Sequence, residues 1–457
     1  MENLRETLLE YLVAKYKVSK TVRDLAEKVL EQLEKGSICL KIDNEAEKAE
    51  LKKSKAIGSG GEICPLIFDG KNLYIQRYFV YQSRILERIN ELQKNKKFHI
   101  ITGGPGTGKT WSLAEILKSR LNEKILLAAP TGKAAFRMME SLKEQNIKLE
   151  AKTIHRLLGY KHLSVNFKHA KENPLDADII AIDECSMVDL PMMAKLLEAI
   201  PNNCDLYLLG DKHQLASVEA GSVFADICAK FEKNSDIYTE KTENHRAAKA
   251  PGIAKLSKEI LDNSAEKFDN ENVRYCSGLP IENLLDKYND LFKAESEKEA
   301  IEFLKSFQIL CAIKKGRNGV ENINRELLLK AKHSKYTPII ITENNYQQNL
   351  FNGDVGVKDK KNAYFLTETG IKTFPLLTLP KYEDAFAITI HKSQGSEYER
   401  IAVVYPENAN QESEQTILTK ELLYTAITRA KMECFIFGNE SVLAASCKKQ
   451  IYRASGI

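Results

Sequence analysis

A stretch of closely spaced glycines followed by a Lys-Thr pair is the most chemically distinctive part of the sequence: IITGGPGTGKTWSL, residues 100–113. Glycines let backbone N–H groups turn toward phosphate oxygens, and the N-terminus of a following helix adds a favourable dipole. In this spacing Lys109 would contact the β- and γ-phosphates, and the Thr110 hydroxyl would bind Mg²⁺. The sequence therefore predicts an ATP and Mg²⁺ site whose loop comprises Gly103, Gly104, Pro105, Gly106, Thr107, Gly108, Lys109 and Thr110.

Two adjacent acids, Asp183 and Glu184, end the apolar run ADIIAIDE and supply further groups that triphosphate hydrolysis needs. Asp183 is placed to hold Mg²⁺ through water, and Glu184 to orient or deprotonate the attacking water. A helix N-cap followed by a first-turn acid is the alternative. Gln214 follows a further apolar run, in GDKHQL, where a glutamine can bridge the γ-phosphate and a moving element. Taken alone, a polar loop after a strand is a common feature.

Short apolar runs that end in polar or glycine-rich clusters predict the strands that position these residues. Runs of this length suit strands that are buried on both faces of a parallel sheet. They are KFHIITGG, KILLAAPTGK, ADIIAIDE and CDLYLLGD, with helical stretches such as 111–121 and 189–199 between them. Ligands bind beyond the carboxyl ends of such strands, so the four polar clusters predict one shared site.

The chain of 457 residues is too long for one ordinary core, so we expect roughly two to four domains. Residues 4–16 and 22–35 predict two amphipathic helices, the second of which ends at Gly36. These helices would either form a small domain that packs on itself or dock onto another subunit.

A polar stretch from about 258 to 300 precedes a second series of apolar runs, which predicts a second α/β domain. The runs are FQILCAI, TPIIIT, FAITIH, RIAVVYP and CFIFG. From Gly316 to about Asp384 the pattern shortens into strand-and-turn units such as FNGDVGV, which predict a small β insertion. We therefore place an N-terminal helical or partner-docking domain at 1–80, a first ATPase domain at 81–245, a second domain at 246–315 and 385–457, and the β insertion at 316–384.

Charge and cysteine content narrow the class of protein. Lys and Arg total 67 and Asp and Glu total 63, a formal net charge of +4, so any nucleic-acid contact must be local. The nine cysteines are scattered without a Cys-x-x-Cys pair, which argues against a disulfide framework and a zinc site. The first residues lack the apolar core of a signal peptide, and no run is long enough to span a membrane. We expect a soluble cytoplasmic protein with no membrane partner.

Seven stretches resemble, in order along the chain, the motif set of superfamily 1 helicases. They are GGPGTGKT (103–110), APTGKAA (129–135), TIHRLLG (153–159), DECSM (183–187), GDKHQLASVEAG (210–221), ITIHKSQGSEY (388–398) and LLYTAITRAK (422–431). Within that superfamily the sequence most resembles the RecD family, the alpha subunit of exodeoxyribonuclease V, which is the RecBCD recombination enzyme. GSICLKI (36–42) and LFNGDVGV (350–357) are also similar to stretches of that family.

The resemblance spans about residues 36–437 and implies a fold. That fold is α/β, with two RecA-like P-loop domains built on parallel sheets. The second of them carries a small β-rich, SH3-like insertion, and a small helical domain precedes the first. The implied cofactors are ATP and Mg²⁺.

The resemblance implies roles at the ATP site that agree with the chemistry above. Lys109 and Thr110 would bind the phosphates and Mg²⁺, Asp183 would bind the metal, Glu184 would be the catalytic base, and Gln214 would be the γ-phosphate sensor.

Three further residues enter the site through the resemblance alone. Arg429, in YTAITRA, matches the arginine that reaches across a cleft to stabilise charge on the transferring phosphoryl group. Arg246, in TENHR, would be a second such arginine, although a hydroxyl-and-aromatic pair precedes this arginine in the RecD pattern. A surface arginine that begins a helix is the alternative for Arg246. Gly395, in HKSQGSEY, is implied as an ATP-binding residue.

Three loops on the rim opposite the ATP site are implied to contact a DNA strand: APTGKAA, TIHRLLG and IHKSQGSEY. They offer positive charge, hydroxyls and backbone donors, which suit phosphate contacts that read few bases. The implied DNA-binding residues are Thr131, Lys133, His155, Arg156, His391, Lys392 and Ser393. Solvated charge at a domain rim is the alternative for each residue taken singly. With Arg429 on the second domain, ATP would close the cleft and hydrolysis would release it, which is a motor stroke.

The resemblance therefore implies an ATP-dependent 5′→3′ DNA helicase and translocase acting on single-stranded and duplex-end DNA. It would be a subunit of a RecBCD-type exodeoxyribonuclease V, in a heterotrimer with RecB-like and RecC-like subunits, in double-strand break repair and recombination. The alternatives are a stand-alone superfamily 1 DNA helicase, a nucleotide-binding regulatory subunit without unwinding activity, and a small-molecule kinase. A pure scaffold would need neither Glu184 nor Arg429.

Overall fold

The computed structural model describes residues 2–161, 164, 166–245, 247–278, 281–331, 334–345, 347–367, 370–408 and 416–457. Its strands form four sheets, of which two are entirely parallel. This arrangement confirms the predicted fold class of two α/β domains with parallel sheets. All nine cysteines are free thiols. In the described ranges, no helix has the length and apolar character that crossing a membrane requires.

The N-terminal domain contains the two predicted helices, a third helix and a four-stranded sheet. Its elements are α1 (Glu2–Tyr16), α2 (Lys20–Glu34), β1 (Leu40–Lys41), α3 (Glu45–Lys53), β2 (Ile57–Gly58), β3 (Leu66–Phe68) and β4 (Asn72–Ile75), with sheet order β1-β4-β3-β2. Val22, Leu25, Ala26 and Val29 form one buried face of α2. The domain is mixed α/β rather than helical, because strands of two to four residues are too short to leave a periodic pattern.

The first α/β domain is a six-stranded parallel sheet covered by helices on both faces. Its elements are α4 (Gln76–Lys94), β5 (Phe98–Gly103), α5 (Lys109–Lys118), β6 (Ile125–Ala129), α6 (Gly132–Glu144), β7 (Ala151–Thr153), α7 (Ile154–Leu158), β8 (Ile179–Ile182), α8 (Leu190–Ala199), β9 (Asp205–Gly210), α9 (Val223–Phe231) and β10 (Tyr238–Lys241). The sheet order is β10-β5-β9-β8-β6-β7. The four predicted runs form the four central strands, so their polar ends meet at one edge of the sheet.

Apolar side chains explain why this sheet is buried on both faces. One apolar core packs α4, α7, α8 and α9 against one face, with Ile89 and Leu196 fully buried. A second core packs α5 and α6 against the other face, with Leu113 and Leu142 fully buried. Strand β8 lies in the interior of the sheet, and all four of its residues are buried.

The second α/β domain begins with five helices and two strands. They are α10 (Pro251–Leu261), β11 (Val273–Ser277), α11 (Ile281–Asp286), α12 (Asn289–Lys293), α13 (Glu297–Ser306), β12 (Phe307–Cys311) and α14 (Val320–Lys330). Strand β11 lies in the polar stretch where the sequence predicted no strand. It is an edge strand, exposed or half-buried over most of its length, so its side chains are not uniformly apolar.

The β insertion is a five-stranded antiparallel sheet. Its strands are β13 (Thr337–Ile341), β14 (Val355–Lys358), β15 (Asn362–Thr367), β16 (Gly370–Pro375) and β17 (Tyr382–Asp384), in the order β16-β15-β14-β13-β17. The run TPIIIT lies within the bounds of 316–384 that we gave the insertion, and it forms strand β13 there, although it is also one of the apolar runs that predict the second α/β domain. A buried strand has the same apolar run in either kind of sheet.

The chain then returns to the second α/β domain and completes its sheet. The remaining elements are β18 (Ala387–Thr389), β19 (Tyr398–Val404), α15 (Lys420–Ile427), β20 (Ala430–Gly438) and α16 (Glu440–Lys448). The sheet is parallel, with the order β11-β20-β19-β12-β18. The loop after β18 and helix α15 therefore lie on a different domain from the phosphate-binding loop.

Residues 449–457, here called the return segment, follow α16 and cross back to the first half of the chain. The backbone N–H of Ile38 donates to the carbonyl of Ala454 at 2.9 Å. The backbone N–H of Gly456 donates to Gln82 Oε1 at 2.8 Å. The return segment thus joins the second α/β domain to the N-terminal domain and to α4.

Asp226 of α9 packs against the return segment in a partly buried position. Burial raises the pKa of its carboxyl to about 6, although the Ser455 hydroxyl and the Arg453 guanidinium act in the opposite direction. Oδ2 of Asp226 has no hydrogen-bond partner among the described residues. At neutral pH this carboxylate therefore costs stability.

We predict that Asp226→Asn stabilises the protein more at pH 7.5 than at pH 4.5. Because the folded-state pKa lies above the ordinary value of about 4, the folded state favours the protonated form. The penalty therefore appears as the pH rises above about 4 and is complete once the pH exceeds about 6. Removing the charge should raise the free energy of unfolding by about 1–3 kcal/mol at neutral pH. Urea unfolding at both pH values measures this, with exposed Asp236→Asn as control. The same gain at both pH values would contradict the prediction.

Candidate active site

The phosphate-binding loop wraps around the Lys109 ammonium. Gly106 and Gly108 each have a φ of +78°, a conformation that favours glycine. Lys109 Nζ donates to the carbonyls of Gly103 at 2.6 Å and Gly104 at 3.1 Å. Lys109 takes part in none of the ion pairs that the described residues form, so its charge is available to a bound anion.

Glu184 has a strained backbone next to the loop. Its φ is +53°, which is uncommon for a residue with a Cβ and typical of functional sites. Burial and the neighbouring Asp183 carboxylate raise the pKa of Glu184, while the charges of Arg429 and Lys109 act in the opposite direction. These positive charges stabilise the ionised form that a catalytic base needs.

The alternative interpretation of the two acids as helix caps is not supported. Glu184 precedes the short 3₁₀ helix Cys185–Met187 without a side-chain capping bond. Asp183 Oδ1 accepts only the adjacent N–H of Glu184, at 2.8 Å, among the hydrogen bonds described. The N-cap of α8 is Asp189, which accepts from Met192 N–H.

A cavity of about 950 Å³ brings residues of both α/β domains together. From the first domain it is lined by the predicted residues Pro105, Gly106, Thr107, Gly108, Lys109, Thr110, Asp183, Glu184 and Gln214, and from the second domain by Glu397 and Arg429. Gly103 and Gly104 lie behind this lining, where their carbonyls bind Lys109. Residues more than 300 positions apart in the chain therefore share one site.

Arg429 is buried at the second-domain wall of this cavity. Its side chain is 1% exposed. Nε donates to the carbonyl of Thr425 and Nη1 to that of Ser396, each at 3.1 Å. Nη2 has no hydrogen-bond partner among the described residues. A buried cation with an unmet donor fits a phosphate oxygen, so the cavity suits a nucleoside triphosphate.

Gln214 is held by a hydrogen-bond network that crosses the cleft. Its Nε2 donates to Asp211 Oδ2 at 3.2 Å, and the same oxygen accepts from the Tyr424 hydroxyl at 3.0 Å. Oε1 of Gln214 is buried without a partner among the described residues. Tyr424 also lies over the loop, since a Cβ on Gly104 would approach its hydroxyl to 2.8 Å. The γ-phosphate sensor predicted on the first domain thus contacts the second through Asp211.

Arg137 of α6 makes a second contact across the cleft. It forms an ion pair with Glu397, and its Nη1 donates to the carbonyl of Gly395 at 3.0 Å. Gly395 is not among the residues that line the cavity, so it reaches the site through Arg137. Arg246, the second predicted arginine, lies outside the described residues, and its role stays a prediction.

Sequence reasoning missed several residues at this site. Asp211 and Tyr424 lie inside the motif stretches, but their contact joins positions that are 213 residues apart. Arg137 follows the APTGKAA stretch without a pattern of its own. Trp111, the single tryptophan of the chain, is 54% exposed and lines the cavity beside the loop. An aromatic side chain directly after the phosphate-binding loop is a signal that the sequence offered for Trp111.

Part of the predicted DNA-binding set gathers where the β insertion meets the first domain. Arg156 donates to Asn349 Oδ1 at 2.6 Å and lies 4.8 Å from the centroid of the Phe351 ring. Lys133 lies 5.6 Å from the Tyr398 ring centroid. Thr131 caps α6 by accepting from Ala134 N–H. These residues form a rim shared by both domains.

The remaining predicted DNA contacts are less open to a strand. His155 packs on Phe167, and burial lowers the pKa of His155. Burial also lowers the pKa of His391. Lys392 pairs with Glu383 at 3.0 Å. Ser393 is fully buried and donates to the carbonyl of Ile390, so it does not lie on the rim.

Two family models match separate segments of the chain. Residues 87–220 match an AAA domain, and residues 384–437 match a UvrD-like helicase C-terminal domain. The first segment contains the phosphate-binding loop with Glu184 and Gln214, and the second contains Arg429. The two sides of the cavity therefore correspond to the two matched segments.

The similarity to known proteins covers most of the chain. It is 32% identical to the RecBCD enzyme subunit RecD of Haemophilus influenzae, over 79% of this chain and 69% of that protein. The corresponding subunit of Mycolicibacterium smegmatis is 34% identical, over 78% of this chain and 71% of that protein. The chain belongs to the RecD family. The ATP-dependent RecD2 DNA helicase of Deinococcus radiodurans is a more distant relative, 28% identical over 77% of this chain and 48% of that protein.

We predict that Arg429→Ala in this RecD-family chain spares nucleotide binding and abolishes most hydrolysis. An arginine that stabilises transition-state charge contributes about 10³-fold or more to turnover. Equilibrium binding of ATP and steady-state hydrolysis measure the two effects separately. Arg274→Ala, at an exposed position of the same domain, should change neither. Equal losses of binding and hydrolysis would indicate that Arg429 only supports the fold.

Proposed function

We propose that the chain is an ATP-driven DNA translocase and helicase. One observation carries this proposal: Arg429 of the second α/β domain lines the same cavity as Lys109 and Glu184 of the first. Hydrolysis in such a cleft would remove the γ-phosphate that residues of both domains contact. The chemical step therefore becomes a relative movement of the domains.

The residues around the cavity divide the chemistry of hydrolysis among them. Lys109 would bind the β- and γ-phosphates, Gln214 would contact the γ-phosphate, and Glu184 would orient and deprotonate the attacking water. Arg429 would stabilise the charge that develops on the transferring phosphoryl group. Thr110 and Asp183 would hold Mg²⁺, which supplies positive charge beside the phosphates when it is bound.

The rim around the insertion would convert domain movement into travel along a strand. Lys133 of the first domain contacts Tyr398 of the second domain. Arg156 of the first domain contacts Phe351 of the β insertion. A strand bound there would therefore contact both domains. Cationic and aromatic groups suit backbone contact and base stacking without sequence preference. A 5′→3′ direction on single-stranded and duplex-end DNA is the direction that the RecD resemblance implies.

We place this activity in a RecBCD-type exodeoxyribonuclease V, with RecB-like and RecC-like partners, in double-strand break repair and recombination in the cytoplasm. Two of the relatives described above bear the name RecBCD enzyme subunit RecD, and the chain spans more than two thirds of their length. The N-terminal domain, residues 1–80, would be the docking element. Co-purification from the native cell tests the assembly, and recovery of the chain alone would favour a stand-alone helicase.

We predict that single-stranded DNA strongly stimulates ATP hydrolysis by the purified chain. Lys109→Gln should fold normally and lose turnover by orders of magnitude, because the positive charge beside the phosphates is removed. Hydrolysis with and without oligothymidylate measures both effects. Hydrolysis that ignores DNA would favour a regulatory subunit or a kinase, and undiminished activity of Lys109→Gln would overturn the assignment of the site.

A further inference from the structure

A single guanidinium nitrogen in the return segment binds three carbonyls of the loop that follows β9. We call this loop, residues 214–221, the sensor loop. Arg453 Nη1 donates to the carbonyls of Ser217 at 2.8 Å, Glu219 at 3.1 Å and Gly221 at 2.8 Å. No other side chain among the described residues gathers as many carbonyls of the first domain.

The second domain also binds the start of the sensor loop, at Leu215, the residue after Gln214. The N–H of Leu215 donates to Thr425 Oγ1 at 3.0 Å, and its carbonyl accepts from Gln394 Nε2 at 2.9 Å. The Leu215 side chain is buried in the apolar core of the second domain, with Ile427 among its members. The backbone beside Gln214 therefore follows the second domain, although Gln214 belongs to the first.

Contacts on both sides hold Arg453 in place. Upstream, Lys420 N–H donates to the carbonyl of Lys449 at 2.8 Å. Downstream, Ala454 N–H donates to Ser37 Oγ at 3.1 Å. Gly36 faces the guanidinium so closely that a Cβ there would approach Arg453 Nε to 2.7 Å. Rotation of the Arg453 side chain is therefore restricted at the point where it meets the sensor loop.

We propose that Arg453 is a positioning residue for hydrolysis, which acts through Gln214 by holding the sensor loop against the second domain. The inference rests on the proposed function. The start of the loop moves with the second domain through Leu215, and Arg453 fixes its end, so movement in the middle would be suppressed. Gln214 Oε1 then meets the γ-phosphate in one defined orientation. Without Arg453, the carbonyls of Ser217 and Gly221 lose this donor, and that of Glu219 keeps only the Ser217 hydroxyl at 3.2 Å. The loop then gains conformations that do not support hydrolysis.

The first experiment compares Arg453→Ala and Arg453→Lys with Tyr452→Ala, a control in the same segment whose side chain is 82% exposed. We expect Arg453→Ala to lower the DNA-stimulated kcat about three- to thirty-fold, the range typical of a coupling residue, with KM for ATP unchanged. Arg453→Lys retains the charge and should recover part of the loss. Circular dichroism checks that the variants fold.

A double-mutant cycle with Gln214→Ala separates positioning from a general loss of stability. If Arg453 acts through Gln214, Arg453→Ala should cause little further loss in the Gln214→Ala background. Two independent losses that multiply would overturn the proposal. Wild-type kcat in Arg453→Ala would overturn it as well.

Hydrogen–deuterium exchange tests the same idea without requiring activity. Amides of the sensor loop should exchange faster in Arg453→Ala than in wild type, and Tyr452→Ala should match wild type. Unchanged exchange would contradict the proposal even if the variant lost activity. A wild-type chain without DNA-stimulated hydrolysis would instead refute the proposed function, and the exchange result would still decide whether Arg453 holds the loop.

Discussion

Burial of the Arg429 guanidinium is the constraint on which the arrangement of the two α/β domains depends. A charge removed from water is costly unless surrounding groups replace its hydration. Two carbonyls, of Ser396 and Thr425, bind Nη1 and Nε, and Nη2 remains without a protein partner in the described chain. The first α/β domain supplies the glycine-rich loop at 103–110, whose backbone conformation suits a phosphate group. Negative charge that develops there during hydrolysis would lower the cost of the buried charge, which would link hydrolysis to the closed cleft.

The contacts across the cleft are mostly polar, whereas each domain has its own apolar cores. Arg137 pairs with Glu397, and the Tyr424 hydroxyl donates to Asp211. Hydrogen bonds and ion pairs exchange with water at little net cost, while a large apolar interface would lock the domains together. Leu215 is an exception, because its side chain is buried in the core of the second domain. The sensor loop is therefore the part of the first domain that is most firmly attached to the second.

Much of the fold was predictable because its signals are local. Glycine spacing reports the backbone conformation of the phosphate-binding loop, and apolar runs report strands such as β5 and β8 that are buried on both faces. Short or edge strands gave no such signal, as in the N-terminal sheet and β11. The run TPIIIT has an apolar pattern that predicts a buried strand, but this pattern carries no information about the sheet to which the strand belongs.

The sequence by itself predicted which residues would carry the chemistry, from Lys109 to Glu184, because motif spacing is a property of neighbouring residues. Only the tertiary structure decided which of them meet. It placed Arg429 in the cavity, buried Ser393, and brought Asp211 to Tyr424 and Arg453 to the sensor loop. Such contacts join positions hundreds of residues apart. They follow from how whole domains pack, and a local pattern carries no information about that packing.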